Sequence, residues 1–286
     1  MLSNKEIVCP DQLLKLAKTK GPIKVVIVNA GKAVSIESAK QAMDEGLIDP
    51  IFIGDQKIIE KLASEIKWNI SKYEIINEPI ENNTAPIAAK LASEGKVKII
   101  VKGHIHTDIL MKAVLKRNLN LIGKKRLSHV WHMTLDKNDK PFIITDGALN
   151  VLPKLETKMH ILKNAVDFAK RIGINKPKVS VLSATEEVLE SVPSSLDAKE
   201  LTERAKKEGV DADVFGPMAF DNSVSENAAE IKGIKNTVAG KADILLVPNV
   251  EAGNGLVKMM IYFMGACAAG VVVGGKVPVV ITSRAD

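Results

Sequence analysis

Residues 23–54, IKVVIVNAGKAVSIESAKQAMDEGLIDPIFIG, read as strand, turn, helix and strand. IKVVIV (Ile23–Val28) is short and β-branched, the pattern of a strand buried on both faces. Asn29, Ala30 and Gly31 turn the chain, and residues 35–46 follow as a helix with Ile36, Ala39, Met43 and Leu47 at helical spacing. Pro50 ends that helix and IFIG (51–54) is the next strand.

The alternation continues. A helix is expected over 58–66, a strand over 73–76, a helix capped by Thr84 running to Ala92, a strand over 97–101 and a helix opened by Thr107. Strands alternating with amphipathic helices imply a parallel sheet with right-handed crossovers. The fold class is α/β, and this first part is a doubly wound domain.

From Leu127 the pattern changes. LSHVWHMTL and PFIITD are separated by the polar run 136–139, a hairpin signal that marks entry into a second domain. A long amphipathic helix over 156–172 follows. Strands are then expected at 179–182, 214–215 and 244–247, alternating with helices at 196–208, 226–234 and 256–265. The final strand, 277–281, returns the chain to the first domain. The expected domains are 1–127 with 274–286, and 128–273.

Bulk properties narrow the class of protein. At 286 residues the chain is long enough for two cores, and aromatics at 3% leave those cores to Ile, Leu, Val, Ala and Met. So few rings argue against a single-strand nucleic-acid platform, which needs stacking surfaces. The net charge of +6 is spread among acids rather than gathered in a stripe. It reads as a Lys-rich solvated surface or as attraction for a small polyanion, not as a nucleic-acid footprint. Cys9 and Cys267 lie far apart in sequence and read as two unpaired thiols of a reducing cytoplasm. The uncharged run between Lys258 and Lys276 is interrupted by Gly265, Gly270, Gly274 and Gly275, which favours a buried helix and strand over a membrane span.

Two nucleotide motifs fail on inspection. Gly31 and Lys32 follow a strand as in a P-loop, but Val26 stands where the first glycine belongs and Ala33 where Ser or Thr does. Gly253-Asn254-Gly255 begins a dinucleotide fingerprint, but Lys258 replaces its third glycine.

Polar residues at the carboxyl ends of strands are the candidate ligand contacts, since open α/β sheets bind there. EAGNGLVK (251–258) combines Glu251, Gly253, Asn254 and Lys258. With Asn254 as N-cap, free N–H groups and the positive helix end would face an anion; the plain alternative is a capped helix with a solvated lysine. Leu256, Met260 and Phe263 are expected to form its buried face. Ser283, Arg284 and Asp286 close the last strand, where a forked guanidinium matches phosphate or carboxylate oxygens, or where Arg and Asp form a terminal surface pair. KGHIHTD (102–108) offers His104, His106 and Thr107 after another strand. Its His-x-His spacing, with His129 and His132 elsewhere, admits a zinc site, hydrogen bonding to a phosphate or carbonyl, or a plain turn; no metal is expected. FDNS, with Asp221 and Asn222, and Thr145-Asp146-Gly147 are similar polar turns that read as helix caps or sites.

Taken together, KGHIHTD (102–108), SHV (128–130), ITDGALNVLP (144–153), GPMAFDNSVS (216–225), VAGKADILLVPNVEAGN (238–254) and VPVVITSRAD (277–286) resemble the phosphate acetyl/butyryl transferase family. Their order covers most of the chain, and the GHIHTD form is most similar to the branch found fused behind enoyl-CoA hydratase domains. The resemblance implies two α/β domains of the isocitrate/isopropylmalate dehydrogenase-like fold with an active-site cleft between them, in a homo-oligomer. It implies transfer of a short acyl group, acetyl or butyryl, between coenzyme A and phosphate, with coenzyme A as substrate or product and no tightly bound cofactor. By motif, Ser283 and Arg284 would contact phosphate or the acyl carbonyl, and Asp286 is the acid nearest to that pair. Where the acetyltransferase branch carries a substrate-binding arginine this chain has Met111, with Lys112 beside it. The alternatives are a metal-dependent hydroxy-acid dehydrogenase of the same general fold, which needs an aspartate cluster, and a non-enzymatic protein that binds coenzyme A or acyl phosphate.

Overall fold

The computed structural model describes residues 2–136 and 140–281. In chain order the elements are α1 (Asp11–Lys18), β1 (Ile23–Val28), α2 (Ala33–Asp44), β2 (Ile48–Gly54), α3 (Gln56–Glu65), β3 (Ile75–Asn77), α4 (Glu81–Ser93), β4 (Ile99–Lys102) and α5 (Thr107–Val114). After a short 3₁₀ turn come β5 (Ser128–Thr134), β6 (Phe142–Thr145), α6 (Leu155–Arg171), β7 (Lys178–Leu182), α7 (Pro193–Lys207) and β8 (Asp213–Met218). The chain closes with α8 (Phe220–Val224), α9 (Glu226–Ile231), β9 (Ile244–Leu246), α10 (Val250–Met264), β10 (Cys267–Val273) and β11 (Val279–Val280).

These elements form two compact units. The first unit holds Leu14–Lys125 and Gly274–Asp286, the second Met1–Leu13 and Arg126–Val273. The opening segment, grouped with the first domain in the sequence reading, packs within the second unit: the Ser3 N–H donates to the Tyr262 carbonyl at 2.8 Å.

In the first unit the strands run β3-β2-β1-β4-β11, all parallel. Val25 and Ile27 pack with Ile36, Ala39, Ile59 and Ala63 of α2 and α3. Side chains alternate along a strand, so Val26 and Val28 face the other side, where α4 lies against β1 and α5. Phe52 and Trp68 meet edge to face with ring centroids 5.8 Å apart. The fully buried Phe52 side chain contributes roughly 1.5–3 kcal/mol.

In the second unit the order is β10-β5-β6-β9-β7-β8. The expected hairpin is present as antiparallel β5 and β6, with Val130 opposite Thr145; its turn residues 137–139 lie outside the described residues. β10 is also antiparallel to β5, whereas β6, β9, β7 and β8 are parallel. Ile143, Ile244 and Leu246 pack under α6 and α7, and the alternate residues Ile144, Leu245 and Val247 pack under α10. This strand alternation places helices on both faces, the doubly wound arrangement expected. Among the described residues no helix is long and apolar enough to cross a membrane.

Candidate active site

Open α/β sheets bind ligands where neighbouring parallel strands send the chain to opposite faces. In the first unit this is between β1, which leads to α2, and β4, which leads to α5. The two loops there are tied together. Gly103 N–H donates to the Val28 carbonyl and His104 N–H to the Asn29 carbonyl, each at 2.9 Å, while Asn29 Nδ2 donates to the His104 carbonyl at 2.6 Å. Asn29 has φ 56°, a left-handed conformation that Asn tolerates better than most residues. A Cβ on Gly103 would lie 2.5 Å from the Val28 oxygen, so only glycine lets the loops approach so closely.

That tie presents the imidazoles of His104 and His106 to solvent. His106 immediately precedes α5 and its N–H donates to Glu81 Oε1 at 3.2 Å; Thr107 is the first helical residue. Met111 is buried on α5, whereas Lys112 is exposed and pairs with Asp108 at 3.4 Å. His129 and His132 are buried on β5 of the second unit, so the four histidines divide between units, and no group of three or more His, Cys, Asp or Glu gathers among the described residues.

In the second unit the corresponding place is between β7, which leads to α7, and β9, which leads to α10. Here the helix start differs from the sequence expectation. Asn249, not Asn254, is the N-cap: its side chain accepts from Ala252 N–H at 2.9 Å, and Val250 N–H donates to the Val151 carbonyl at 3.0 Å. Those N–H groups are therefore already occupied and do not form a free anion site. Asn254 lies inside the helix instead. Glu251, Asn254 and Lys258 recur at three- and four-residue spacing and share one face of α10. Gly253 and Val257 are buried on the opposite face, where Leu256 and Met260 also pack, and Phe263 is exposed rather than buried.

Gly253 rests on the loop after β6. A Cβ built on it would lie 2.7 Å from Gly147 Cα, and a Cβ on Gly147 would lie 2.9 Å from the Gly253 carbonyl carbon. Asn254 Nδ2 reaches the Gly147 carbonyl at 3.4 Å. Asp146 builds this loop. Its buried carboxylate accepts from the N–H groups of Ala148 at 3.0 Å, Leu149 at 2.9 Å and His129 at 2.9 Å, and from Asn150 Nδ2 at 2.7 Å. His129 is fully buried beside it. Loss of solvent pushes its imidazole down to about 4 against the opposing pull of Asp146, and burial lowers His132 as well.

Asp221 and Asn222 follow β8 on α8. Asn222 is buried and its Nδ2 donates to Glu186 Oε2 at 3.4 Å; Lys232 bridges Glu186 at 3.4 Å and Asp221 at 3.2 Å. The N–H of Asn222 and then the Lys232 ammonium hold the Asp221 carboxyl below its usual range. Glu186 and Lys232 were not expected from sequence. Glu186 follows strand β7, the signal used for the other loops, but Lys232 belongs to α9 and has no local signature. Cys267 is half-buried, and burial together with neighbouring Cys9 raises its thiol, so it is a weak nucleophile. The two cysteines, distant in sequence, thus lie close enough to influence each other. Ser283, Arg284 and Asp286 lie outside the described residues.

Residues 73–286 match the phosphate acetyl/butaryl transferase family. The chain belongs to the phosphate acetyl/butyryl transferase family. It is 38% identical over 277 residues to a phosphate acetyltransferase of Rhizobium meliloti, spanning 96% of this chain and 88% of the relative. It is 36% identical over 279 residues to a phosphate butyryltransferase of Clostridium acetobutylicum, with 96% and 92% covered. A branched-chain phosphotransacylase from Enterococcus faecalis V583 superposes with a TM-score of 0.81 at 34% identity, over 92% of this chain and 93% of that one. The protein is therefore an acyltransferase of the phosphotransacylase type, and the dehydrogenase and non-enzymatic alternatives give way to it. Within this phosphotransacylase, the segments ITDGALNVLP, GPMAFDNSVS and VPNVEAGN all lie at the carboxyl edge of the second unit's sheet, and KGHIHTD lies at that of the first.

Proposed function

We propose that the protein exchanges a short acyl group, acetyl or butyryl, between coenzyme A and inorganic phosphate: acyl-CoA and phosphate give acyl phosphate and free coenzyme A. The observation that carries this reading is the face of α10 bearing Glu251, Asn254 and Lys258, fixed by glycine contact against the Asp146 loop at the carboxyl edge of its sheet. Relatives named for both acetyl and butyryl transfer agree with a short acyl chain.

The transfer is direct. A phosphate oxygen attacks the thioester carbonyl, the tetrahedral oxyanion collapses, the carbon–sulfur bond breaks and the thiolate leaves to take up a proton. Arg284 and Ser283 donate to the oxyanion, where a well-aimed donor is worth about 3–4 kcal/mol. Lys258 and Lys112 attract phosphate groups, while His104, His106, Thr107, Asn222 and Asn254 offer hydrogen bonds to the ligands. Asp221 and Glu251 shape the binding surface, Gly253 by its contact with Gly147 fixes the helix that carries Glu251, and Asp286, two residues beyond Arg284 in the sequence, serves as the base. The raised thiol of Cys267 suits a mechanism without an acyl-enzyme. No tightly bound cofactor and no metal take part.

We place the protein in the cytoplasm as a homo-oligomer, a dimer or larger, with no nucleic-acid or membrane partner, and take its two units as its two domains. Phosphate- or arsenate-dependent loss of the thioester of acetyl-CoA or butyryl-CoA tests the reaction. No turnover with any short acyl-CoA would remove this reading, and an acylated protein after incubation with acyl-CoA alone would remove direct transfer.

A further inference from the structure

We infer that Asp146 is a positioning residue for substrate binding, acting through the Gly147–Asn150 loop on the first turns of α10. Its carboxylate is 2% exposed and gathers four N–H donors from two directions: His129 on β5 on one side, and Ala148, Leu149 and the Asn150 side chain of its own loop on the other. Asn150 Nδ2 also donates to the Leu127 carbonyl at 3.0 Å, so the loop is anchored at both ends of its turn. One carboxylate thus sets the shape of a loop that has no regular structure of its own.

The loop's shape reaches α10 through two backbone contacts and one side-chain bond. Gly147 and Gly253 meet with no side chain between them, Val250 N–H donates to the Val151 carbonyl at 3.0 Å, and Asn254 Nδ2 reaches the Gly147 carbonyl at 3.4 Å. The two backbone contacts have no rotamer freedom to absorb a displacement. A shift of the loop therefore moves the helix start, and with it Glu251, Asn254 and Lys258. The four donors make the acceptor requirement strict: an amide at position 146 would turn an NH₂ toward an N–H group and leave a buried donor unpaired.

The inference rests on the reading of that α10 face as substrate-binding, and the experiment separates the two. Asp146→Asn and the milder Asn150→Ala are compared with Asn164→Ala, which breaks other buried polar links of the same unit, to Ser128 Oγ and to the Arg126 carbonyl at 2.9 Å each, neither of them made to the loop. Steady-state kinetics for acyl-CoA and hydrogen exchange at the Val250 and Gly253 amides are measured on each intact protein. The expected result is faster exchange at those amides and a KM raised roughly tenfold in Asp146→Asn, with kcat changed much less. Asn150→Ala shows the same signature more weakly, and Asn164→Ala lowers Tm alone. Wild-type exchange at Val250 and Gly253 in a folded Asp146→Asn, or in Asn150→Ala where the former does not fold, overturns the inference. Faster exchange with an unchanged KM keeps the mechanical link but removes the substrate role of α10, and with it the positioning role.

Discussion

Gly147 and Gly253 face each other so closely that neither tolerates a methyl group: a Cβ on Gly253 would sit 2.7 Å from Gly147 Cα. This contact joins the loop after β6 to the helix after β9. Gly147→Ala and Gly253→Ala are each expected to destabilise the protein by about 1–3 kcal/mol through overpacking. Gly255→Ala, whose Cβ meets nothing within 4 Å, is the matched control in the same helix. Chemical denaturation of the three variants measures this, and equal stability of all three would refute the steric argument.

In the first unit, Asn29 combines a left-handed backbone at φ 56° with a side-chain bond to the His104 carbonyl at 2.6 Å. Asn29→Gly loses the bond but keeps the backbone, at a cost of about 1 kcal/mol. Asn29→Ala loses both, adding about 1 kcal/mol or more of strain. The stability order Asn, Gly, Ala is the expected outcome of urea denaturation, and Ala above Gly would contradict it.

The buried His129 gives stability a pH dependence. Burial lowers its folded pKa from 6.5 to about 4, with His132 shifted in the same direction. Above the unfolded value neither state binds the proton and the contribution to stability is complete. As pH falls from 6.5 to about 4 the unfolded chain takes up a proton that the folded state refuses, so stability is lost across that window. The loss from His129 reaches on the order of 3 kcal/mol. His129→Asn, compared with wild type by denaturation at intervals through that window, is expected to show a shallower decline. Parallel curves would count against the assignment.

Lys158 is buried on α6 and pairs with Asp197 of α7 at 2.6 Å. Removing the acid leaves a buried ammonium without its partner. Asp197→Ala is therefore expected to cost about 2 kcal/mol, less than for a fully enclosed pair because Asp197 keeps access to solvent. Lys158→Met keeps the apolar stem and is expected to fall within about 1 kcal/mol of wild type. If thermal unfolding ranks them the other way, the pair is not what secures that packing.

For the reaction, Arg284→Ala is expected to lower kcat by about 10²–10³ as an oxyanion donor is lost. Lys258→Ala is expected to raise KM for phosphate or acyl-CoA with a smaller change in kcat. The thioester-loss assay reads both. A large kcat effect from Lys258→Ala with KM unchanged would shift that residue's role from binding to the chemical step.

Much of the fold was legible because strand and helix periodicity are local. IKVVIV announces β1 by its β-branched run, and the hairpin of β5 and β6 is marked by its polar interruption. Local signals also misled at α10. Asn254 beside two glycines resembles a helix start, but Asn249 caps the helix and the glycines sit inside it. The helix keeps Gly253 because a glycine from another loop must fit against it, a requirement that no window around residue 253 contains.

The sequence by itself determined the alternation of strands and helices and the family, through motifs short enough to be read in place. Only the tertiary structure decided that Glu251, Asn254 and Lys258 form one helix face, that Glu186 and Lys232 join Asp221 and Asn222, and that Asp146 shapes the loop beneath α10. Asn254 and Gly147 lie 107 residues apart in the chain and meet only because β9 inserts beside β6 in the sheet. Periodicity is encoded residue by residue, whereas strand order arises from how whole faces bury one another.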